Sequence, residues 1–212
     1  YIVPVNLAIS NYSFVNQYAI AFMGYFTILV LLLILAILRK SRKEKEQLMV
    51  RAQRDSLTGL YNKETTQNLI SEIVSDGKMH GFMILDIDFF KSVNDTYGHA
   101  VGDKVLSAVG NLFQMQFRDQ DIIGRIGGDE FIILMRDIQN NEIIEERINC
   151  LFEQVRNLSV PELGEARITL SAGVAISPKD GNTFMELYRH ADKALYKVKS
   201  EGKNNYQRYK KM

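Results

Sequence analysis

The sequence predicts an α+β sandwich on one mixed sheet, preceded by a helix that spans a membrane. Three observations predict it. An uncharged stretch of twenty residues, 19–38, opens onto a basic segment. Segments of helical and of strand-like periodicity then alternate from residue 55 onward. A Gly127-Gly128 pair separates two of the strand-like runs, as in a tight hairpin.

Residues 1–38 contain no Lys, Arg, Asp or Glu. At about 1.5 Å per residue, 19–38 reaches about 30 Å as a helix, the thickness of the hydrocarbon core. A cleavable signal peptide would need a basic front, a shorter apolar run and a small-residue cleavage site. None is present, and a buried core helix would carry a polar stripe. Residues 39–54 then hold Arg39, Lys40, Arg42, Lys43, Lys45, Arg51 and Arg54 against Glu44 and Glu46. The positive-inside rule places the C-terminal part of the chain in the cytoplasm. The expected location is therefore the inner (plasma) membrane, crossed once. The expected organisation is an extracytoplasmic lead-in at 1–18, a span at 19–38, a basic helical linker or stalk at 39–54 and a folded domain at 55–212. The lead-in reads as the tail of a longer protein with an extracytoplasmic sensor ahead of it.

In the folded part, apolar spacing predicts helices over Thr65–Val74, Val101–Phe113, Ile144–Leu158 and Phe184–Val198. Strands are predicted at Phe82–Ile87, Ile122–Ile126, Phe131–Met135 and Ile168–Ile176. The last puts Ile168, Leu170, Ala172, Val174 and Ile176 on one face. Gly127 and Gly128 are expected to supply the positive φ of a two-residue turn. A short final strand is expected near Tyr206–Tyr209. Helices and strands in this order, with a hairpin in the middle, give an α+β layer structure.

The basic segment contributes +5 to a total of +1, which leaves about −4 for 55–212. A nucleic-acid binder would show the opposite sign over its folded part, so no nucleic-acid partner is expected. Cys150 is the only cysteine, which excludes an intrachain disulfide. It lies in the apolar-periodic stretch of Ile144, Ile148, Leu151, Val155 and Leu158, and reads as an inert helix residue more than a reactive thiol.

Two acidic groups carry the chemistry. Asp86-Ile87-Asp88-Phe89-Phe90-Lys91 closes an apolar strand, and a period of two puts Asp86 and Asp88 on one side. Acids at the end of a buried strand are costly unless paired, hydrogen-bonded or bound to a cation. A hard cation such as Mg²⁺ takes carboxylate and carbonyl oxygens and recruits phosphates. Alone, an Asp-x-Asp is as readily a surface strand cap. The second group, Gly127-Gly128-Asp129-Glu130-Phe131, sets two carboxylates beside a hairpin turn and heads an apolar strand.

That five-residue segment resembles the signature of the GGDEF domain of diguanylate cyclases. The resemblance covers roughly residues 54–210. Asp55-Ser56-Leu57-Thr58-Gly59-Leu60-Tyr61-Asn62 resembles the family's opening motif. Asp86 to Lys91, with Asn94-Asp95, Gly98-His99 and Gly102-Asp103, resembles its metal and guanine segment. Ala191-Asp192-Lys193-Ala194-Leu195-Tyr196, with Lys199, Gly202 and Asn204, resembles its C-terminal signature. Four motifs in register are far more specific than one.

The resemblance implies a ferredoxin-like domain of the nucleotide-cyclase and polymerase-palm type. It would join two GTP into cyclic di-GMP, with two domains facing each other as a homodimer. By position, Asp86, Asp129, Glu130 and the Ile87 carbonyl would hold Mg²⁺, or Mn²⁺. Either Asp129 or Glu130 would assist deprotonation of the attacking 3′-hydroxyl, with Asp129 favoured because a metal-bound hydroxyl is acidified in place. Lys91, Lys199 and Lys203 would meet the triphosphate. Asn94 and Asp103 would read guanine, with Phe90 and His99 flanking base or ribose. His99 is equally read as a satisfied loop histidine. Arg118 and Asp121, in an Arg-x-x-Asp nine residues before the hairpin, resemble a site where product inhibits, with Arg125 as a further product-binding arginine. Lys63 and Lys203 stand where the family usually has Arg, which keeps the charge and loses the bidentate fork.

Two other functions fit parts of this pattern. A catalytically silent GGDEF module would bind GTP or cyclic di-GMP as a receptor, although such modules usually lose the signature acids kept here. A membrane scaffold that only dimerises would not need Asn94 and Asp103.

Overall fold

The computed structural model describes residues 3–211, with side chains for 16, 18, 19, 21–45 and 52–211. The expected lead-in at 1–18 lies largely outside the described side chains. The chain divides into two compact units, Tyr1–Ala52 and Gln53–Met212.

The first unit is helical. Helix α1 (Val3–Gln53) runs without a break through the uncharged stretch and the basic segment. Within it, Ala21–Lys45 is long and apolar enough to cross a membrane by length and composition, and none of it is buried. Its large apolar side chains are exposed, and Phe22, Tyr25, Leu31 and Ile37 are more than half so.

The second unit is a five-stranded mixed sheet with helices on both faces. Helix α2 (Lys63–Ile73) starts where the Asn62 side chain accepts from the Thr65 amide, an N-cap that satisfies an otherwise orphaned donor. Strand β1 (His80–Ile87) is buried along its whole length. Helices α3 (Phe90–Tyr97) and α4 (His99–Gln116) come next, separated by Gly98 at φ +86. Strands β2 (Ile122–Arg125) and β3 (Glu130–Met135) form the hairpin, and α5 (Asn141–Arg156) leads through a short 3₁₀ turn to β4 (Leu170–Ser177). Helix α6 (Phe184–Ser200) and strand β5 (Tyr206–Arg208) complete the fold.

The strand order is β2-β3-β1-β4-β5, antiparallel except for β4 with β5. One face buries Met83, Leu85, Phe131, Leu170, Ala172 and their neighbours against α4 and α5; Phe113 meets Phe131 edge-on at 5.2 Å. The expected alternation of β4 belongs to this face. The other face packs Phe82, Ile84, Ile132 and Leu134 against α2 and α6. Here α6 comes so close that a Cβ on Gly173 would stand 1.9 Å from the Ala191 carbonyl.

Three expectations are corrected. Helix α3 has no counterpart among the expected helices, because its eight residues bury only Phe90, with Val93 half-buried against the core. Neither Gly127 nor Gly128 has a left-handed φ. The strands close at Ile126, whose amide donates to the Glu130 carbonyl at 3.0 Å, so the turn is longer than two residues and needs no mirror-image backbone. Cys150 lies on the exposed side of α5, off its apolar stripe.

Candidate active site

Asp86 is the second-last residue of β1, and the register sets it directly opposite Glu130 of β3. Paired residues of an antiparallel ladder share a face, so two carboxylates stand side by side on the α6 side of the sheet. Asp129 joins them through the backbone, its carbonyl accepting from the Ile87 amide at 3.2 Å. From α6, Lys199 Nζ reaches Asp86 Oδ2 at 2.6 Å.

Burial pushes the Asp86 carboxyl above its ordinary range; the Lys199 ammonium opposes this, and the charges of Asp129 and Glu130 add to it. One ammonium against three carboxylates leaves a formal charge of about −2 at a half-open strand end. Oxygen donors with unbalanced negative charge are what a hard dication requires, so the residues present fit a divalent cation. A cavity of about 290 Å³ opens beside them, lined by Glu130, Asp192, Lys193, Leu195, Tyr196 and Lys199.

Asp88 does a different job from Asp86. It is 5 % exposed, and its oxygens accept from the Ser171 and Thr169 hydroxyls at 2.6 and 2.7 Å and from the Asn204 amide at 3.0 Å. It ties β1 to the start of β4 and to the loop before β5.

The expected guanine readers lie on α3 and α4, the two helices that follow β1. Asn94 is half-buried, and a Cβ on Gly102 would stand 1.9 Å from its Oδ1. Only a glycine lets that amide lie against α4, one residue before the exposed Asp103. His99 is exposed as the first residue of α4, and Lys91 is exposed in the first turn of α3. Phe90, expected to flank base or ribose, is 9 % exposed and packs in the core. The exposed aromatic is its neighbour Phe89, at 62 %, with the Lys203 ammonium 3.9 Å above its ring. No periodicity separates two adjacent phenylalanines; only the left-handed backbone at Phe89 turns the pair.

Of the expected inhibitory residues, Arg118 and Asp121 line a cavity of about 380 Å³ together with Arg54, Tyr61 and Gln114. The Asp121 carboxylate already serves the fold, accepting from the Arg118 and Arg136 amides at 3.0 Å and pairing with Arg147 at 2.9 Å. Arg125 is likewise engaged, with the Gly128 carbonyl and with Asp55.

Sequence reasoning missed His80. It is fully buried at the opposite end of β1, with Asp76 Oδ1 2.9 Å from its Nε2 and the Asp137 amide donating to its Nδ1. The ligand atoms of Asp76, His80 and Asp137 all lie within 4.8 Å of one another. Because both ring nitrogens are engaged, the cluster braces two loops. It stands six residues along the strand from Asp86, about 20 Å away.

The domain was compared with known proteins. The family described as "Diguanylate cyclase, GGDEF domain" matches residues 52–205. The probable diguanylate cyclase DgcC of Escherichia coli K12 is 34% identical over 169 residues, which are 78% of this chain and 45% of that protein. The bifunctional diguanylate cyclase/cyclic di-GMP phosphodiesterase MucR of Pseudomonas aeruginosa is 34% identical over 77% of this chain and 24% of its own length. The cyclic di-GMP phosphodiesterase PdeR of E. coli is 32% identical over 79% and 25%. The chain thus spans between 24% and 45% of the length of these curated relatives. Among solved structures, the coiled coil and GGDEF domain of DgcB from Caulobacter crescentus, in complex with c-di-GMP, superposes with a TM-score of 0.75. Identity there is 25%, over 82% of this chain and 94% of that one.

Proposed function

Because the chain belongs to the diguanylate cyclase GGDEF-domain family, we propose that it condenses two GTP into cyclic di-GMP and releases two pyrophosphates. The observation that carries this reading is the Asp86–Glu130 pair, with Asp129 beside it and the Lys199 ammonium against Asp86. Each 3′-hydroxyl attacks the α-phosphorus of the other nucleotide, and the leaving pyrophosphate takes the electron pair. Each domain binds one GTP, so two must face each other.

A divalent cation, Mg²⁺ or Mn²⁺, held by Asp86, Asp129, Glu130 and the Ile87 carbonyl, would supply charge to the triphosphate and acidify the hydroxyl. Asp129 accepts the hydroxyl proton. Lys91, Lys199 and Lys203 offset charge that moves to the leaving group. Asp103 accepts from the guanine ring N–H and exocyclic amine, with Asn94 as its partner on the base edge and His99 at the rim. Arg118 and Asp121 form the site at which cyclic di-GMP inhibits.

Ala21–Lys45 supports membrane anchoring, with 19–38 in the bilayer and the basic 39–54 as a cytoplasmic stalk. The catalytic domain is then cytoplasmic. A second reading is a silent module that binds GTP or cyclic di-GMP within a larger protein. It is favoured by one observation, that relatives named as phosphodiesterases match over a similar share of this chain.

The full chain in detergent or nanodiscs, incubated with GTP and Mg²⁺, separates the two. Cyclic di-GMP formation is expected. Nucleotide binding without turnover would establish the silent module instead.

A further inference from the structure

Phe89 combines two costly features at the end of β1 that carries Asp86. Its ring is 62 % exposed, and its backbone is left-handed at φ +57. A bulky residue in that region is strained, whereas Gly or Asn adopts it cheaply. Core packing does not repay the strain, because the buried ring is that of Phe90.

The loop before β5 mirrors it. Lys203 and Asn204 are left-handed as well, at φ +65 and +47. The two strained segments share one anchor, the buried Asp88, which immediately precedes Phe89 and accepts from the Asn204 amide at 3.0 Å. It also accepts from the Thr169 and Ser171 hydroxyls, so three hydrogen bonds hold the junction. The outcome is the Lys203 ammonium 3.9 Å from the centroid of the Phe89 ring.

A lysine is a point charge on a flexible stem and lacks the preorganised fork of an arginine. A ring face beneath the ammonium gives it a second attachment through the quadrupole. We propose that Phe89 is a positioning residue, whose ring holds Lys203 where the triphosphate of a bound GTP meets it. This rests on the diguanylate cyclase reading and adds a residue that acts through another. It also explains how a lysine serves at a position where a fork would otherwise fix the charge.

The test uses the 212-residue chain in nanodiscs with GTP and Mg²⁺. Phe89→Leu keeps an apolar side chain and removes the ring. It should raise KM for GTP about two- to fivefold with kcat nearly unchanged. Phe89→Tyr should restore the native KM. Phe89→Asn relieves the backbone, so it should melt no lower than the wild type and still show the raised KM, which separates positioning from folding. In a chain already carrying Lys203→Met, Phe89→Leu should add nothing. An equal effect with and without Lys203→Met would mean that the ring contacts the nucleotide itself, and would overturn the inference, as would an unchanged KM. If the wild type turns over no GTP, the cyclase reading fails separately. Equilibrium GTP binding by the same variants then decides the inference, by the same non-additivity.

Discussion

The guanidinium of Arg125 joins Asp55 to the turn that carries Asp129. Its Nη1 lies 3.1 and 3.3 Å from the Asp55 oxygens, and Nε and Nη2 donate to the Gly128 carbonyl at 3.2 and 2.8 Å. Asp55 also accepts from the Thr58 hydroxyl and amide at 2.7 and 2.9 Å. One planar fork therefore ties the first loop of the domain to the backbone next to a site carboxylate.

This geometry predicts that Arg125 acts on turnover more than on feedback. Arg125→Lys cannot reach both partners with one ammonium. Both Arg125→Lys and Arg125→Ala should lower kcat about tenfold or more, with a stability loss of about 2 kcal/mol, typical for a lost charge-assisted pair. Initial rates and urea unfolding measure the two effects. A native kcat with relieved inhibition would return Arg125 to the product site.

The same contact sets an acid limb. Burial raises the Asp55 pKa, but the Thr58 hydroxyl and amide and the Arg125 guanidinium outweigh it and hold it below the ordinary carboxylate value. A carboxyl with a depressed folded pKa contributes stability above its unfolded pKa and loses it as pH falls through the folded one. Asp55→Asn should therefore lower stability at pH 7 and leave a flatter decline below about pH 4. Parallel acid limbs in the two chains would contradict the assignment.

Asp86 has the opposite sign. Burial raises its pKa, Lys199 opposes, and Asp129 and Glu130 add repulsion. Its favourable contribution is present below the ordinary carboxylate pKa and is lost as pH rises through the raised value. At neutral pH the ionised group thus weighs against folding. Asp86→Asn should abolish cyclic di-GMP formation and raise the melting temperature at pH 7, with the difference shrinking toward about pH 4. A variant that melts lower at pH 7 would show that the Lys199 pair outweighs the burial and repulsion.

The contrast between Asp86 and Asp88 shows what the sequence could and could not reveal. Strand period two puts both on one side, and the hydroxyls on Ser171, opposite Asp86 in the register, and on Thr169 confirm it. Yet their roles diverge through partners more than 80 residues away, which no local pattern encodes. The strands and longer helices were legible because each buries a periodic face. Helix α3 and the exposure of Phe89 were not, since both depend on a single left-handed residue at the end of β1. Arg125 and Asp121 were legible as charged positions, but their internal engagement is a property of the tertiary fold.

Arg118 shares a cavity of about 380 Å³ with Asp121, and it is exposed while Asp121 is turned inward. Arg118→Ala should leave initial rates near native and weaken inhibition by added cyclic di-GMP about tenfold or more, as expected for a lost charge-assisted contact. Inhibition curves for the two chains measure this, and coincident curves would place feedback elsewhere. Asp121→Asn is a poorer probe, because it also disturbs Arg147 and two backbone amides.

The last prediction concerns association. In the proposed mechanism each domain binds one GTP, so the reacting pair exists only when two domains meet. Tethering through paired helices raises the effective concentration of one domain near another, commonly to about the millimolar range for short links. A chain that starts at Arg54 keeps the sheet, both helical layers and the Asp55–Arg125 brace, since Gln53–Met212 is a compact unit by itself. It lacks the apolar helix and the basic segment. Its rate per domain should therefore rise with protein concentration. A parallel dimeric coiled coil fused ahead of Arg54 should restore the rate at low concentration, in those registers that let the two Asp86–Glu130 edges face. The measurement is specific activity across a dilution series, with sedimentation run at the same concentrations. A flat profile from a chain shown to be monomeric throughout would end the two-domain mechanism. A flat profile from one that stays dimeric would locate a dimer interface inside the domain itself.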